Sequence, residues 1–201
     1  FETKYGTQYY NEKYTSVNNP YYGSGASNWG SIYKEDTEVT NQSFLQLLRF
    51  KKDFGKNNLE IFAAHETNDW GRKLDYASKN KVVVPGIDEL SNYIITSSPP
   101  GSYGDSYTLE SYFGQVNYNF DNKYYLTGAV RRDGSSRFLQ DKWGTFGSVG
   151  ASWVVSEESF FKNKMVSYMK IKTSYGILGD QDGVGLYSGY NTFGVDNVND
   201  N

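Results

Sequence analysis

The densest group of charged residues follows a candidate β-strand in the second half of the chain. Arg131, Arg132, Asp133 and Arg137 stand within seven residues of one another. Such a patch could contact a polar ligand. Alternatively, Arg131 and Arg137 could pair with Asp133 and nearby carboxylates to brace the rim of a protein wall. The Asp-Gly pair that follows is also a frequent hairpin turn. We favour the bracing role, since exposed ion pairs usually do no more than brace a surface weakly.

Catalytic and metal-binding chemistry has little support in the sequence. His65 is the only histidine, and no Gly-x-Ser-x-Gly nucleophile motif accompanies it, so we expect no catalytic residue. With one His and no Cys, metal sites built from several His or from Cys ligands are excluded. Residues 180–183 resemble the start of a calcium loop but lack the remaining ligand spacing. We therefore expect no metal and no cofactor.

Aromatic residues in the candidate loops supply the other possible binding chemistry. Our candidates for substrate or partner contact are Trp29, Tyr103, Tyr21 and Tyr22. Aromatic rings near Asn and Asp suit the stacking of sugars, and they suit a protein partner equally well. Packing of the loops against themselves is the third interpretation, and the sequence leaves all three open.

The elements that must position these residues are β-strands. Apolar and polar side chains alternate with a period of two, which predicts about seven half-buried strands. They cover residues 1–14, 42–54, 59–76, 107–120, a segment from 124, 143–156 and 170–178. Short turns are predicted at 55–58 and 121–123, and long loops near 15–41, 77–106 and 181–201. In the linker 157–166 we expect one helical turn capped by Ser156.

Composition narrows the class of protein. Only 37% of the 201 residues are apolar, yet the chain has 19 Tyr, 12 Phe, 4 Trp and 21 Gly, which favours decorated β-sheet over disorder. The net charge of −3 and the absence of a basic tract argue against nucleic-acid binding. No stretch reaches the roughly 20 apolar residues of a membrane helix, but a membrane strand needs only about 9–11.

Three features favour a transmembrane β-barrel over a soluble sandwich. One strand face is rich in Asn, Gln, Ser, Thr and Lys, short turns alternate with long loops, and aromatic residues crowd the strand ends beside the short turns. His65 conflicts with this pattern, because it shares a face with Leu59 and Ile61, which we assign to lipid. Either a bulge shifts the register or the face assignment fails locally. Seven strands entered in mid-strand cannot close a barrel, so we expect the chain to be a piece of a larger one.

Four sequence blocks occur in a recognisable order between residues 121 and 181. They are Asp121–Phe138 with Arg-Arg-Asp-Gly-Ser-Ser-Arg-Phe at its end, Trp143–Val149, Ser152–Phe160 with Ser-Glu-Glu, and Lys170–Gln181 with Ser-Tyr-Gly and Leu-Gly-Asp-Gln. This arrangement resembles the SusC/RagA family of TonB-dependent outer-membrane transporters. Gly147 stands where the family often has Pro, and Asp180 where Asn is common, from which we expect loop variation and the same fold.

The resemblance implies an all-β fold: an antiparallel segment of about seven strands that forms part of a 22-stranded transmembrane barrel. Residues 1–201 would form part of one barrel domain, with the plug domain and signal peptide outside this chain. It implies outer-membrane import of oligomeric nutrients, glycans more readily than peptides, and no enzymatic activity. The implied partners are a SusD-like surface lipoprotein that lids the barrel, the TonB complex acting through the plug, and outer-membrane lipid. A soluble all-β carbohydrate-binding surface module is the alternative.

Overall fold

The computed structural model describes residues 1–161, 165–180, 183–188 and 190–191. This part of the chain forms a seven-stranded antiparallel sheet in which each strand neighbours the next, in the order β1 to β7. The strands are β1 (Glu2–Asn18), β2 (Ser31–Phe54), β3 (Asn57–Val82), β4 (Tyr93–Phe120), β5 (Tyr124–Ser135), β6 (Trp143–Val154) and β7 (Lys170–Ile177). Short 3-10 segments cover Gly23–Asn28, Leu90–Asn92 and Val155–Glu157. No helix among the described residues has the length and apolar character needed to cross a membrane.

Two tight turns fall where the sequence predicts them. Gly55 has a φ of 64°, and Asp121 and Asn122 have φ values of 56° and 55°. These left-handed conformations suit Gly, Asn and Asp, which explains why the hairpins β2–β3 and β4–β5 reverse at these residues.

The predicted long loops near residues 15–41 and 77–106 are wrong in extent. β2 already begins at Ser31, β3 continues to Val82, and β4 begins at Tyr93 and runs through Pro99 and Pro100. Polar side chains on both faces remove the alternating apolar signal in these stretches. Proline is also tolerated where one edge of a strand is unpaired, and β5 pairs only with residues 109–120 of β4. The connections are therefore residues 19–30 and 83–92, while the predicted loop 181–201 falls largely outside the described residues.

The chain divides into two compact units. The first contains residues 1–6, 43–68 and 107–201, and the second contains residues 7–42 and 69–106.

The first unit has one continuous apolar face. Register pairs Val116 with Gly128, Gly128 with Val149, and Val149 with Tyr175, and directly paired residues share a face. The members of this face on β4 to β7 are Tyr112, Val116, Tyr118, Phe120, Tyr124, Leu126, Val130, Val149, Ala151, Trp153, Ile171, Tyr175 and Ile177. The predicted alternation of an apolar and a polar strand face is therefore confirmed on these four strands. β6 ends at Val154, two residues before the predicted end of strand 143–156, and Val155 lies buried in the following turn.

The opposite face of the first unit is polar and hydrogen-bonded. Gln115 Nε2 donates to Asn117 Oδ1 at 2.8 Å, and Thr127 Oγ1 donates to the same oxygen at 3.1 Å. Ser148, Ser152, Lys172 and Ser174 occupy the equivalent positions on β6 and β7. The sheet of this unit thus separates an apolar surface from an amide- and hydroxyl-rich one.

Aromatic side chains group at the end of the apolar face nearest the tight turn 121–123. The Phe120 and Tyr124 rings lie 6.3 Å apart, Tyr124 stacks on Trp153 at 6.4 Å, and Phe160 packs edge-on against Trp153 at 6.2 Å. Glu158 accepts hydrogen bonds from the Tyr124 hydroxyl at 2.5 Å and from Trp153 Nε1 at 3.1 Å. These bonds, the first above all, lower the pKa of the Glu158 carboxyl below its usual value, and Lys123 adds a favourable charge.

The predicted helical turn at this end is displaced. The structure places a 3-10 turn at Val155–Glu157, its N-cap residue is Val154, and no side chain caps it. The prediction that Ser156 caps a helix is wrong, since Ser156 lies inside the turn. The hydrogen bonds of Glu158 hold this segment instead.

The second unit buries a small core and exposes polar groups elsewhere. Ile32, Leu74 and Tyr93 are buried. The backbone N–H of Val82 donates to the Trp29 carbonyl at 3.0 Å and that of Lys81 to the Gly30 carbonyl at 3.0 Å, which ties the connection 19–30 to the end of β3. Ion pairs such as Lys13–Asp36 and Lys34–Glu89 lie on its surface.

Candidate ligand-binding site

Arg131 lies at the centre of a polar cluster in the first unit. Its Nε–H is shared between the two oxygens of Asp133, at 2.7 and 2.9 Å, and its Nη2 donates to Ser111 Oγ at 2.9 Å. Glu66 Oε2 lies 3.7 Å from the same Nη2, and the guanidinium stacks over the Phe113 ring at 4.8 Å. Groups from β3, β4 and β5 therefore fix one guanidinium, and the bracing role of this motif remains a prediction.

The four charged residues of that motif do not act as one patch. Strand alternation turns Arg131 and Asp133 to the polar face, whereas Arg132 turns to the other face and lies over the Trp143 ring at 5.4 Å. Arg137 follows the end of β5, lies over the Tyr107 ring at 4.3 Å, and donates from Nη1 to the Val184 carbonyl at 3.4 Å. Their roles in ligand or lid contact remain predictions.

A groove of about 370 Å³ opens beside the Arg131 cluster. Arg131 and Asp133 line it together with Phe138, Phe146 and Asp180. Phe62, Phe113 and Phe146 also line an adjoining groove, although the predictions gave no aromatic residue to the polar face. The sequence could have shown this, because Phe113 lies at alternate positions with Gln115 and Asn117 and therefore turns to the same face of β4.

His65 is satisfied without a bulge or a reassignment of faces. Its ring stacks on Tyr112 with the centroids 4.7 Å apart, and Nε2 lies 3.2 Å from Glu110 Oε1. The Tyr112 hydroxyl donates to the same carboxylate at 2.6 Å, and Trp143 packs 6.0 Å from Tyr112. A carboxylate and two aromatic rings thus accompany the one histidine on the apolar face, at the end opposite the Phe120–Tyr124 pair.

Tyr103 belongs to a tyrosine cluster in the second unit. It lies within β4 and not in a loop as predicted, and the Arg72 guanidinium, which pairs with Asp105, sits 5.6 Å from its ring centre. Further along the same unit, Tyr33 stacks on Tyr76 at 6.5 Å, and Tyr14 packs on Tyr33 at 6.2 Å. Sequence analysis missed Tyr14, Tyr33 and Tyr76, because nothing in single-strand alternation shows that residues so distant in sequence become neighbours.

The other predicted aromatic contacts are exposed on the connection between β1 and β2. Tyr21, Tyr22 and Trp29 expose 75%, 71% and 69% of their surface. The Tyr21 N–H donates to Asn19 Oδ1 at 2.8 Å, and Trp29 adopts a left-handed φ of 56°. These rings are accessible to a partner, and their role in substrate or lid contact remains a prediction.

Comparison with known proteins identifies the relatives of this arrangement. No protein-family model matches the chain. It is 29% identical over 189 residues to TonB-dependent receptor SusC of Bacteroides thetaiotaomicron, covering 88% of this chain and 17% of that protein. It is 30% identical over 161 residues to TonB-dependent receptor P3 of Formosa agariphila, covering 78% and 16%. A solved structure of the RagAB peptide transporter superposes with a TM-score of 0.77 at 25% identity, covering 87% of this chain and 20% of that one.

The chain is related to the SusC/RagA-type TonB-dependent receptors. A second RagAB structure, the peptide importer in its closed-closed state, shares the fold with a TM-score of 0.81 over 92% of this chain, at 23% identity. The predicted family resemblance and the all-β antiparallel class are therefore confirmed. The chain covers less than a fifth of either receptor, 17% of the length of SusC and 16% of the length of P3.

Proposed function

We propose that the chain forms part of the wall of an outer-membrane β-barrel that imports oligomeric nutrients. In this proposal glycans are the preferred cargo over peptides, a SusD-like lipoprotein lids the barrel, and the TonB complex supplies energy through a plug domain outside this chain. The similarity to TonB-dependent receptors supports the energy source, and no chemical bond of the cargo is broken.

The observation that carries the proposal is the apolar face of the first unit. Leu126, Val149 and Ile171 are each about half exposed, at 52%, 52% and 50%, although they are apolar and lie on adjacent strands. A contiguous apolar surface across several strands is unfavourable in water and is typical of a surface that contacts lipid or a partner. The polar face behind it suits a water-filled lumen.

The dimensions of this face fit a bilayer. Tyr112 and Phe120 are eight residues apart on β4, which corresponds to about 26 Å along a strand. A strand tilt of about 40° reduces this to about 20 Å along the membrane normal, close to the roughly 25 Å apolar band of outer-membrane barrels. Aromatic pairs end the face on both sides, Tyr112–Trp143 at one end and Tyr124–Trp153 at the other. Such pairs match the aromatic girdles of membrane barrels.

The proposal is tested on the full-length protein in its own cells. We expect a tagged copy to fractionate with the outer membrane, to copurify with a surface lipoprotein, and to support uptake of fluorescent oligosaccharides that a proton uncoupler abolishes. A deletion strain is the control. Recovery of the protein in a detergent-free soluble fraction, or unchanged uptake in the deletion strain, would contradict the proposal.

A further inference from the structure

Arg132 places a positive charge on the apolar face of the first unit. It pairs with Tyr112 of β4 and with Thr145 of β6, and therefore shares the face on which the Tyr112 ring lies. Its guanidinium is 5.4 Å from the centre of the Trp143 ring. Among the residues that the structure describes, none forms an ion pair or a side-chain hydrogen bond with this guanidinium. Arg132 is exposed, so its charge has no counter-ion in this part of the chain.

The carboxylate at the same end of the face is already engaged. Glu110 precedes Tyr112 by two residues on β4, so both side chains turn to the same face. Glu110 Oε1 accepts a hydrogen bond from the Tyr112 hydroxyl at 2.6 Å and lies 3.2 Å from His65 Nε2. Because Glu110 is held by these two groups and does not pair with Arg132, an anion for the guanidinium must come from outside the described residues.

The height of Arg132 on the apolar face matches the border between acyl chains and headgroups. Val116, at the middle of this face, is four residues from Tyr112, the partner of Arg132, which corresponds to about 10 Å along the membrane normal. A long arginine side chain extends its charged head further toward water. The tight turn at Asp121 and Asn122 closes the opposite end of β4 and β5. Because short turns of membrane barrels are periplasmic, Arg132 lies on the outer side.

From these observations we infer that Arg132 binds the phosphate group of a lipid in the outer leaflet. A guanidinium presents planar donors that match two phosphate oxygens. Val130 and Val116, which expose 56% and 42% of their surface on the same face, contact the acyl chains of the lipid. The rings of Tyr112 and Trp143 lie at the headgroup level, as in the aromatic belts of membrane proteins. A free phosphate ion would use the guanidinium alone, so the adjoining apolar surface favours a lipid.

This inference rests on the proposed function, because it requires the apolar face to lie in an outer membrane. The test uses the full-length protein, delipidated in detergent and incubated with one lipid at a time. The lipids are lipid A with its phosphate groups and the same lipid A after the phosphates are removed. Lipid retained through gel filtration is quantified by mass spectrometry. The wild type should retain several-fold more of the phosphorylated form, and inorganic phosphate equimolar with the lipid should not displace it.

The informative variants change the charge at one position. Arg132→Gln should lower retention of phosphorylated lipid A about 5-fold, the effect of one arginine near an anionic lipid surface. Arg132→Lys should retain most of the lipid, because the positive charge remains. Lys172→Gln is the matched control, since it removes one positive charge from the polar face, where Lys172 pairs with Ser152. Retention in this variant should be unchanged. The comparison of the two lipids on the wild type holds even where Arg132→Gln does not fold.

Four outcomes would overturn the inference: equal retention of the two lipids by the wild type, equal retention of phosphorylated lipid A by Arg132→Gln and wild type, an equal loss in Lys172→Gln, or displacement of the lipid by inorganic phosphate. Membrane fractionation and uptake, measured on the same strains, separate this failure from failure of the proposed function. An outer-membrane protein that imports its cargo but retains both lipids equally refutes only the lipid site. A protein absent from the membrane refutes the transport role, whatever lipid it retains in detergent.

Discussion

A substitution at Val116 is the strongest test of the proposed contact between the apolar face and lipid. Val116 lies four residues from Phe120 and four from Tyr112, the aromatic residues that end the apolar face, and it pairs directly with Gly128. Its side chain therefore falls at the middle of the proposed bilayer. A Val116→Arg substitution places a charge at that depth, which costs about 2–4 kcal/mol in membrane barrels. This corresponds to a loss of about 30- to 700-fold in the folding equilibrium constant.

The assay is guanidinium unfolding of the full-length protein in lipid vesicles, followed by tryptophan fluorescence. Gln115→Arg is the matched control, since it adds the same charge one residue away on the polar face. It removes only the hydrogen bond to Asn117, worth about 1 kcal/mol. Unchanged stability of Val116→Arg, or a larger loss in Gln115→Arg, would refute the assignment of faces.

Three further predictions concern the turns and the polar clusters. Gly55→Val should destabilise the protein by about 1–2 kcal/mol, because Gly55 has a φ of 64°, which a β-branched residue rarely adopts. Gly128→Ala is the control, since open space surrounds the added carbon, and it should change the stability by less than about 0.5 kcal/mol in the same unfolding assay. The pKa of Glu158 is lower in the folded protein than its value near 4.5 in the unfolded chain. Glu158 therefore stabilises the fold fully above pH 4.5, and this contribution is lost as the pH falls through its pKa in the folded protein. Glu158→Gln should therefore reduce stability at neutral pH and flatten the acid limb of a stability–pH profile, and an unchanged limb would contradict this. Asp133→Asn should cost about 1 kcal/mol or less but increase the mobility of a spin label beside Arg131, and an immobile label would exclude the bracing role.

Much of the first unit could be predicted from the sequence because its two strand faces differ in chemistry. Apolar Val116 and Leu126 are each followed or preceded by a polar residue, Gln115 and Thr127, and this alternation shows which side chains share a face. Strand pairing then places the apolar residues of neighbouring strands side by side. Gly55 and Asn122 mark turns through backbone conformations that few other residues adopt easily. Local physics of this kind is visible in one sequence.

The second unit could not be predicted in the same way. Only its residues 7–14, 42 and 69–76 lie in strands that the sequence predicts. In residues 31–41, 77–82 and 93–106 polar side chains occur on both faces, so no period of two separates these strands from loops. The two prolines of β4 also predict an interruption, which the backbone does not show. The sequence indicates Tyr103 as a possible contact only through its aromatic side chain, and it predicts a loop where the structure has β4. The neighbours Tyr33 and Tyr76 depend on strand pairing over more than 40 residues, which carries no local signal.

The central claim is that alternate residues of the first unit face lipid and water, and site-directed spin labelling tests it most directly. Labels at Val116, Leu126 and Ile171 of the full-length protein in bilayers should be relaxed by oxygen dissolved in the acyl chains and be protected from a water-soluble nickel chelate. Labels at Gln115 and Lys172 should respond in the opposite way. If the first set met the aqueous reagent and the second met the acyl chains, the assignment of faces and the transport function built on it would both be contradicted.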